Sequence, residues 1–263
     1  MSIAPRDFRK HFAGGGKVIA GWCSIPSAVT AEIVARQGFD AIAIDLQHGL
    51  IDYQVSLQML QATGAVEVPA LCRVPWNDAA PIMKALDAGF TGIICPMVNT
   101  REDAEKFVGA CRYAPRGYRS YGPTRAARIH ADYATSAADL IVTFAMIETA
   151  EAVRNLDSIL AVPDIDAVYI GPADLALSLG YAPSLFSTDA AVLDAIATIC
   201  RKAKAAGKIA GIHAGSSAQV REMLANGFDF VALSTDIRLF TTAVATALAD
   251  ARGTTARVSG GQY

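Results

Sequence analysis

The chain lacks the features that mark several large classes of protein. No apolar run approaches the ~18 residues that a membrane-spanning helix needs, and the opening MSIAPRDFRKHF has no apolar core of signal-peptide length. Charged residues are sparse at 18%, and the formal net charge is −2, so no basic excess points to nucleic acid or another polyanion. Cysteines are few, at 23, 72, 95, 111 and 200, and no pair has C-x-x-C or metal-finger spacing. Cys23, Cys72 and Cys95 lie inside apolar runs, which reads as reduced core thiols in a cytoplasmic protein. No G-x-G-x-x-G follows the first strand-like run, which weakens the case for a dinucleotide-binding open sheet.

What is abundant is apolar residue, 52% of 263, enough for a large core. Short apolar runs alternate with amphipathic stretches. Runs at 18–26, 41–48, 69–75, 92–98, 143–149, 167–172, 208–214 and 230–236 are rich in Ile, Val and Ala without strict polar alternation. Such runs suit strands buried on both faces of a parallel sheet. Helical patterns fall between them, at 28–37, 53–63, 79–88, 101–113, 150–160, 190–206, 217–226 and 237–251. Gly38, Gly64, Gly89, Gly207 and Gly227 stand where helices should stop. Eight β–α alternations predict a single-domain α/β fold over 1–263, a closed (β/α)8 TIM barrel, with an open doubly wound sheet as the alternative. Residues 114–140 break the rhythm with four arginines (116, 119, 125, 128) and three tyrosines (118, 121, 133). They read as an active-site lid, a subunit contact or a surface excursion. The polar stretch 252–263 reads as a loose tail.

In such barrels reactive residues gather at the C-terminal ends of the strands. The second run ends in Asp45-Leu46-Gln47-His48, the third at Arg73, the fifth at Glu148, and the sixth passes into Gly171-Pro172-Ala173-Asp174. Glu148 and Asp174, on consecutive strands, are candidates to share a hard cation such as Mg²⁺ or Mn²⁺, leaving positions for a 2-keto acid. Either carboxylate alone also suits a helix N-terminus or a turn. His48 is the acid/base candidate, with Asp45 three residues earlier to orient it. A strand-end histidine can equally be structural, and His213, at the end of the seventh run, carries a weaker signal. Arg73 suits a substrate carboxylate or a rim salt bridge. Lys10, Lys17, Lys84, Lys106, Lys202, Lys204 and Lys208 all fall away from strand C-termini, so a metal mechanism fits better than an imine.

The stretches AIAIDLQHGLID, CRVPWND, KALDAGFTGIICPMVNT, APRGYRSYG and MIETAEAVRNLDSILAVPDIDAVYIGPADLALSLG carry a resemblance that runs from about Gly21 to Asp236. They resemble the HpcH/HpaI aldolase family of metal-dependent (class II) pyruvate aldolases, within the citrate lyase beta-like superfamily. The resemblance implies Glu148 and Asp174 as metal ligands, with Mg²⁺ or Mn²⁺ expected and Co²⁺ as a further option. It implies Arg73 for holding the keto acid and the enolate oxygen, and His48 for proton transfer with Asp45 as its carboxylate partner. Asp87 would be supplied to a neighbouring subunit's histidine in a homohexamer whose last helix is exchanged between subunits. Trp22 would line the pocket, with Gly171, Pro172, Ala173, Met146 and His213 as further substrate contacts. Three positions depart from the family pattern: Gln47 for a common Glu, Met146 for a common Gln, and Ser120 for a common Gly.

The function expected is reversible aldol cleavage of a 4-hydroxy-2-keto acid to pyruvate or hydroxypyruvate plus an aldehyde, through an enolate held at the metal. A citryl- or malyl-CoA-type lyase is the alternative; it would need a surface for CoA phosphates, and basic residues cluster only within 116–128. A catalytically inert ligand-binding barrel is a third reading. The partners expected are small molecules, a keto acid and an aldehyde, with no nucleic acid and no membrane.

Overall fold

A computed structural model describes residues 4–256. Its eight strands are all parallel and pair in chain order until the last closes on the first. They are β1 (Val18–Cys23), β2 (Ala41–Asp45), β3 (Ala70–Arg73), β4 (Gly92–Cys95), β5 (Val142–Met146), β6 (Ala167–Ile170), β7 (Ile209–Ala214) and β8 (Phe230–Leu233). Closure is made by Val18 opposite Phe230 through Gly21 opposite Leu233. The open-sheet alternative is therefore excluded, and the TIM barrel stands.

Helices follow the strands and cover the barrel. In chain order they are α1 (Phe8–Ala13), α2 (Ala28–Ala35), α3 (Tyr53–Gly64), α4 (Ala79–Ala88), α5 (Arg101–Cys111), α6 (Ala126–Ile129) and α7 (Tyr133–Leu140). They continue as α8 (Ala150–Arg154), α9 (Leu156–Leu160), α10 (Pro172–Ser178), α11 (Ala190–Ala205), α12 (Ser217–Ala225) and α13 (Asp236–Arg252). Most start on a side-chain cap: Ser27, Asp52, Asp78, Thr149, Ser216 and Thr235 each accept a backbone N–H from the first turn. Thr100 and Asp103 cap α5 reciprocally. Each such cap contributes about 1 kcal/mol. Gly89 ends α4 with φ 105, a conformation that excludes most side chains. The stretch 150–160, expected as one helix, is two, broken at Asn155.

Two cores result from the period-2 alternation along each strand. Outward residues such as Ile42, Cys72, Ile93, Val168 and Ile212 pack beneath the helices. Inward residues such as Trp22, Leu71, Phe144, Tyr169 and Phe230 fill the barrel. All five cysteines are free thiols and buried. Phe8, on α1, joins the inner cluster with no exposed surface and plugs the N-terminal end, its ring edge-on to Phe12 at 5.0 Å. Arg9 beside it pairs with Asp166 and donates to the Ile141 carbonyl.

Residues 114–140 lie at the opposite end from the strand C-termini, because they connect a helix to the next strand and not a strand to its helix. Arg119 bonds Asp87 at 2.6 Å and Arg125 donates to the Ala88 carbonyl at 2.6 Å, both at the far end of α4. Arg116 pairs with Asp164, just before β6. The segment thus does not cover its own chain's mouth; the α6 and α7 helices within it were unforeseen. The tail begins at Gly253, which caps α13 with φ 64. The rest of that expectation, 257–263, falls outside the described residues.

Candidate active site

Strand parity brings the candidates together. Asp45 follows Ala41 and Ala43 on the inward face of β2, and Arg73 follows Leu71 on that of β3. The β2–β3 register sets Asp45 directly opposite Arg73. They form a buried two-pronged pair, Arg73 Nε to Asp45 Oδ1 at 2.7 Å and Nη2 to Oδ2 at 2.5 Å. Burial alone would raise the Asp45 carboxyl. Arg73 and the backbone N–H groups of Gln47 and His48 outweigh it and hold the carboxyl below its usual range. Burial works against the charge on Arg73 too, yet Asp45 keeps that guanidinium more firmly protonated than usual. Trp22 donates from its indole N–H to Asp45 at 3.3 Å, and the Arg73 guanidinium lies 4.9 Å from its ring centre.

Asp45 takes the backbone N–H of His48 at 3.3 Å and gives both carboxylate oxygens to Arg73. His48 itself stands exposed on the loop beyond β2, at the mouth. Gln47 donates its backbone N–H to Asp45 at 3.0 Å, while its side-chain Oε1 is buried without a hydrogen-bond partner.

Glu148 continues the inward parity of Phe144 and Met146 on β5. It is buried and accepts the Met97 backbone N–H at 2.8 Å. Met97 holds φ 56 to make that contact, a left-handed conformation uncommon outside glycine. Burial pushes the Glu148 carboxyl up to about 7; the Met97 bond lowers it, Asp174's charge raises it and Arg73's lowers it. Gly171 passes so close that a Cβ there would lie 2.7 Å from Glu148 Oε2 and 3.2 Å from the Met146 methyl. Two carboxylates of like charge, one of them buried, are costly together and suited to a shared divalent cation. The donor set fits such an ion: hard oxygens, few enough to leave open positions. Among the described residues no group of three or more His, Cys, Asp or Glu is placed to hold a metal ion, so these two carboxylates are the whole protein donor set.

Between these groups lies a small cavity. Trp22, Arg73, Met146, Gly171, Pro172 and Asp174 form part of its wall. His213, Tyr169, Leu185 and Thr235 complete it. Of these last, only His213 was picked out from the sequence; Tyr169 shares the inward parity that marks Trp22 and Met146, and that was the available signal. Ala173 sits buried in the first turn of α10 and is not part of the wall. Asp87 lies at the far end of α4, remote from its own chain's mouth.

The model of the HpcH/HpaI aldolase/citrate lyase family matches residues 19–243. The chain belongs to the HpcH/HpaI aldolase/citrate lyase family. A relative from Rhizorhabdus wittichii, a hydroxypyruvate/pyruvate aldolase, is 45% identical over 90% of this chain and 95% of its own. A 4-hydroxy-2-oxo-heptane-1,7-dioate aldolase from Salmonella arizonae is 37% identical over 96% of this chain and 97% of its own. Among solved structures, an HpcH/HpaI family protein from Burkholderia cenocepacia superimposes with a TM-score of 0.89 at 29% identity, covering 94% of this chain and 99% of that one. As a family member, the chain has its buried arginine, aspartate and glutamate at the strand ends where this fold keeps its chemistry.

Proposed function

We propose that this chain is a class II aldolase that joins pyruvate or hydroxypyruvate to an aldehyde, and cleaves the resulting 4-hydroxy-2-keto acid, using a divalent ion held by Glu148 and Asp174. The observation that carries this reading is the convergence of a buried, charged Arg73 and Asp174 on one cavity at the strand C-termini, with buried Glu148 packed behind Gly171 of its wall and within reach of both charges. Mg²⁺ and Mn²⁺ suit the two carboxylates best, with Co²⁺ a further option. When bound, the ion supplies positive charge that stabilises an enolate oxygen.

The chain's own residues do the rest. Asp45 takes the Nε proton and one Nη2 proton of Arg73, which leaves the second Nη2 proton and both on Nη1 to meet oxygens of the keto acid. Held in place by that pair, the guanidinium favours the negative charge that grows on the keto oxygen as the C3 proton leaves. His48, at the mouth, takes the C3 proton and returns it in cleavage. Trp22 and Met146 shield the reacting carbon from water. Asp87 serves a neighbouring subunit's site in a homohexamer that exchanges α13. That helix buries only Asp236 and Ala249, and leaves Leu239, Phe240, Val244 and Leu248 exposed. The five buried free thiols suit a reducing cytoplasm. Among the described residues no helix is long and apolar enough to cross a membrane.

The CoA-lyase reading finds less support. The arginines that would face CoA phosphates are engaged elsewhere, Arg116 by Asp164 and Arg119 by Asp87, away from the mouth. Imine chemistry also lacks a lysine: Lys202 pairs with Asp157 at 2.8 Å, Lys204 with Asp229 at 2.5 Å, and Lys84 lies over Tyr53. Dialysis against EDTA should abolish aldol addition, and Mn²⁺ or Mg²⁺ should restore it. Full activity without metal, with borohydride trapping of a pyruvate adduct, would overturn the proposal.

A further inference from the structure

Tyr169 and His213 line the cavity beside Arg73, and neither takes part in the mechanism above. Both point inward by strand parity, Tyr169 from β6 and His213 from β7. The tyrosine hydroxyl and His213 Nδ1 are 3.1 Å apart. Trp22 locks both rings in place. It stacks on Tyr169 at 5.6 Å between centroids and meets His213 edge-on at 5.0 Å. Burial first, and the charge of Arg73 second, push the imidazole down to about 3, so the ring is neutral at any ordinary pH.

A neutral imidazole has one nitrogen that donates and one that accepts. Nδ1 is engaged with Tyr169, which leaves Nε2. If the tyrosine O–H donates to Nδ1, Nε2 carries the proton and donates. If Nδ1–H donates to the tyrosine oxygen, Nε2 accepts. Because the phenol can take either role, the pair can present either face. A neutral hydroxyl on the substrate answers both, whereas a carboxylate, which only accepts, is served by one tautomer alone.

We propose that Tyr169 and His213 form a hydroxyl-binding subsite that contacts the C3 hydroxyl of the keto-acid donor and sets a preference for hydroxypyruvate over pyruvate. The assignment to the donor rests on the aldolase reading and on position: the pair shares a wall with Arg73 and Trp22, which hold and flank the keto acid. C3 is the carbon next to the keto group that Arg73 addresses. A site built to bond a hydroxyl discriminates against the analogue that lacks it, because its polar atoms are then left unpaired.

The test compares kcat/KM for hydroxypyruvate and pyruvate, with acetaldehyde as the acceptor, in the metal-loaded wild type and in His213→Phe, His213→Gln and Tyr169→Phe. Phenylalanine keeps the edge-on packing against Trp22 and removes the nitrogen. The hydroxypyruvate-to-pyruvate ratio should fall tenfold or more in His213→Phe, fall in Tyr169→Phe, and recover in part in His213→Gln, whose amide both donates and accepts. A second arm, with pyruvate as donor, compares glycolaldehyde with acetaldehyde. A shift confined to that arm would assign the subsite to the acceptor's hydroxyl and overturn the donor assignment. Equal losses on both donors in His213→Phe and Tyr169→Phe would mark a purely structural pair. A wild type that forms no carbon–carbon bond from either keto acid would sink the aldolase reading itself, whereas an active wild type with an unmoved ratio would sink the subsite alone.

Discussion

Glu148 carries a buried carboxyl whose protonation is open to direct test. Its carboxyl stands near 7 in the fold against an ordinary 4.5, chiefly because it is buried. Between those values the unfolded chain has released the proton while the folded chain still holds it. The folded state therefore binds more protons, and stability falls as pH rises across that window. Against a Glu148→Gln variant, which stays neutral, the metal-free wild type should lose up to about 3 kcal/mol between pH 4.5 and 7.5, read by thermal melting at stepped pH. Saturating Mn²⁺ should reverse the loss above pH 7 in the wild type and not in the variant. Parallel pH curves for the two metal-free proteins would mean that burial of Glu148 is not what the geometry implies. Arg73 is tested through rate. Removing its side chain should raise KM and lower kcat, a combined loss of about 2–4 kcal/mol in kcat/KM, because the contact tightens as charge grows on the keto oxygen. Wild-type kcat with weaker binding alone would leave Arg73 as a substrate anchor only. The strand-end placement of both residues was legible in the sequence. The partner of Asp45 was not, since it depends on cross-strand register: Asp45 lies opposite Arg73, a fact set by barrel stagger and invisible to spacing along one chain.

Strands and most helices were legible because their signals are local. Eight short Ile- and Val-rich runs, and polar caps such as Ser27, Asp52 and Thr100 ahead of amphipathic stretches, need no knowledge of the fold. Elements whose reason is tertiary escaped. Helix α1 has six residues, too few to reveal a period, and it exists because Phe8 fills the open end of the barrel. Helix α10, seven residues from Pro172, was hidden in a motif noticed for Asp174. The placement of 114–140 follows from topology: once the barrel is accepted, any segment between a helix and the next strand must lie away from the catalytic face. The plug makes a prediction at this scale. Phe8→Ala should cost about 3–5 kcal/mol, the usual range for emptying a buried aromatic site. The loss should appear in chemical denaturation, while the Arg73 and Glu148 geometry at the other end keeps activity near normal in the folded fraction. A change below 1 kcal/mol would show that α1 is an appendage and that the barrel closes without it.

At the scale of the whole molecule, the isolated chain leaves two features unexplained. Helix α13 is anchored by its first turn, where Asp236 accepts the backbone N–H groups of Ser24 and Ile25, yet its Phe240, Val244 and Leu248 form an exposed apolar stripe at helical spacing. Val29 and Ile33 on α2 form another. A second chain covering such stripes is the economical explanation, and closed symmetry would repeat the contact around the assembly. Asp87 is the other feature. It is the ninth residue of a ten-residue helix that starts at the catalytic face, so it lies roughly 12 Å down from its own mouth. If it works with a histidine at all, the histidine belongs to a neighbour. A single Asp87→Asn variant is ambiguous, since it also strips the ion partner from buried Arg119. Mixing resolves this. His48→Ala chains and Asp87→Asn chains, each weakly active alone, should regain about a quarter of wild-type turnover when denatured together and refolded, because random assembly pairs an intact His48 with an intact Asp87 in that share of sites. C3 proton exchange of pyruvate, followed by NMR, reads the shared step without the aldehyde; it should be slowed about 10²–10⁴-fold in His48→Ala alone and rise on mixing. Mixed samples no more active than the sum of their parts, or full activity in a monomer by gel filtration, would confine each site to a single chain and leave Asp87 as the structural partner of Arg119.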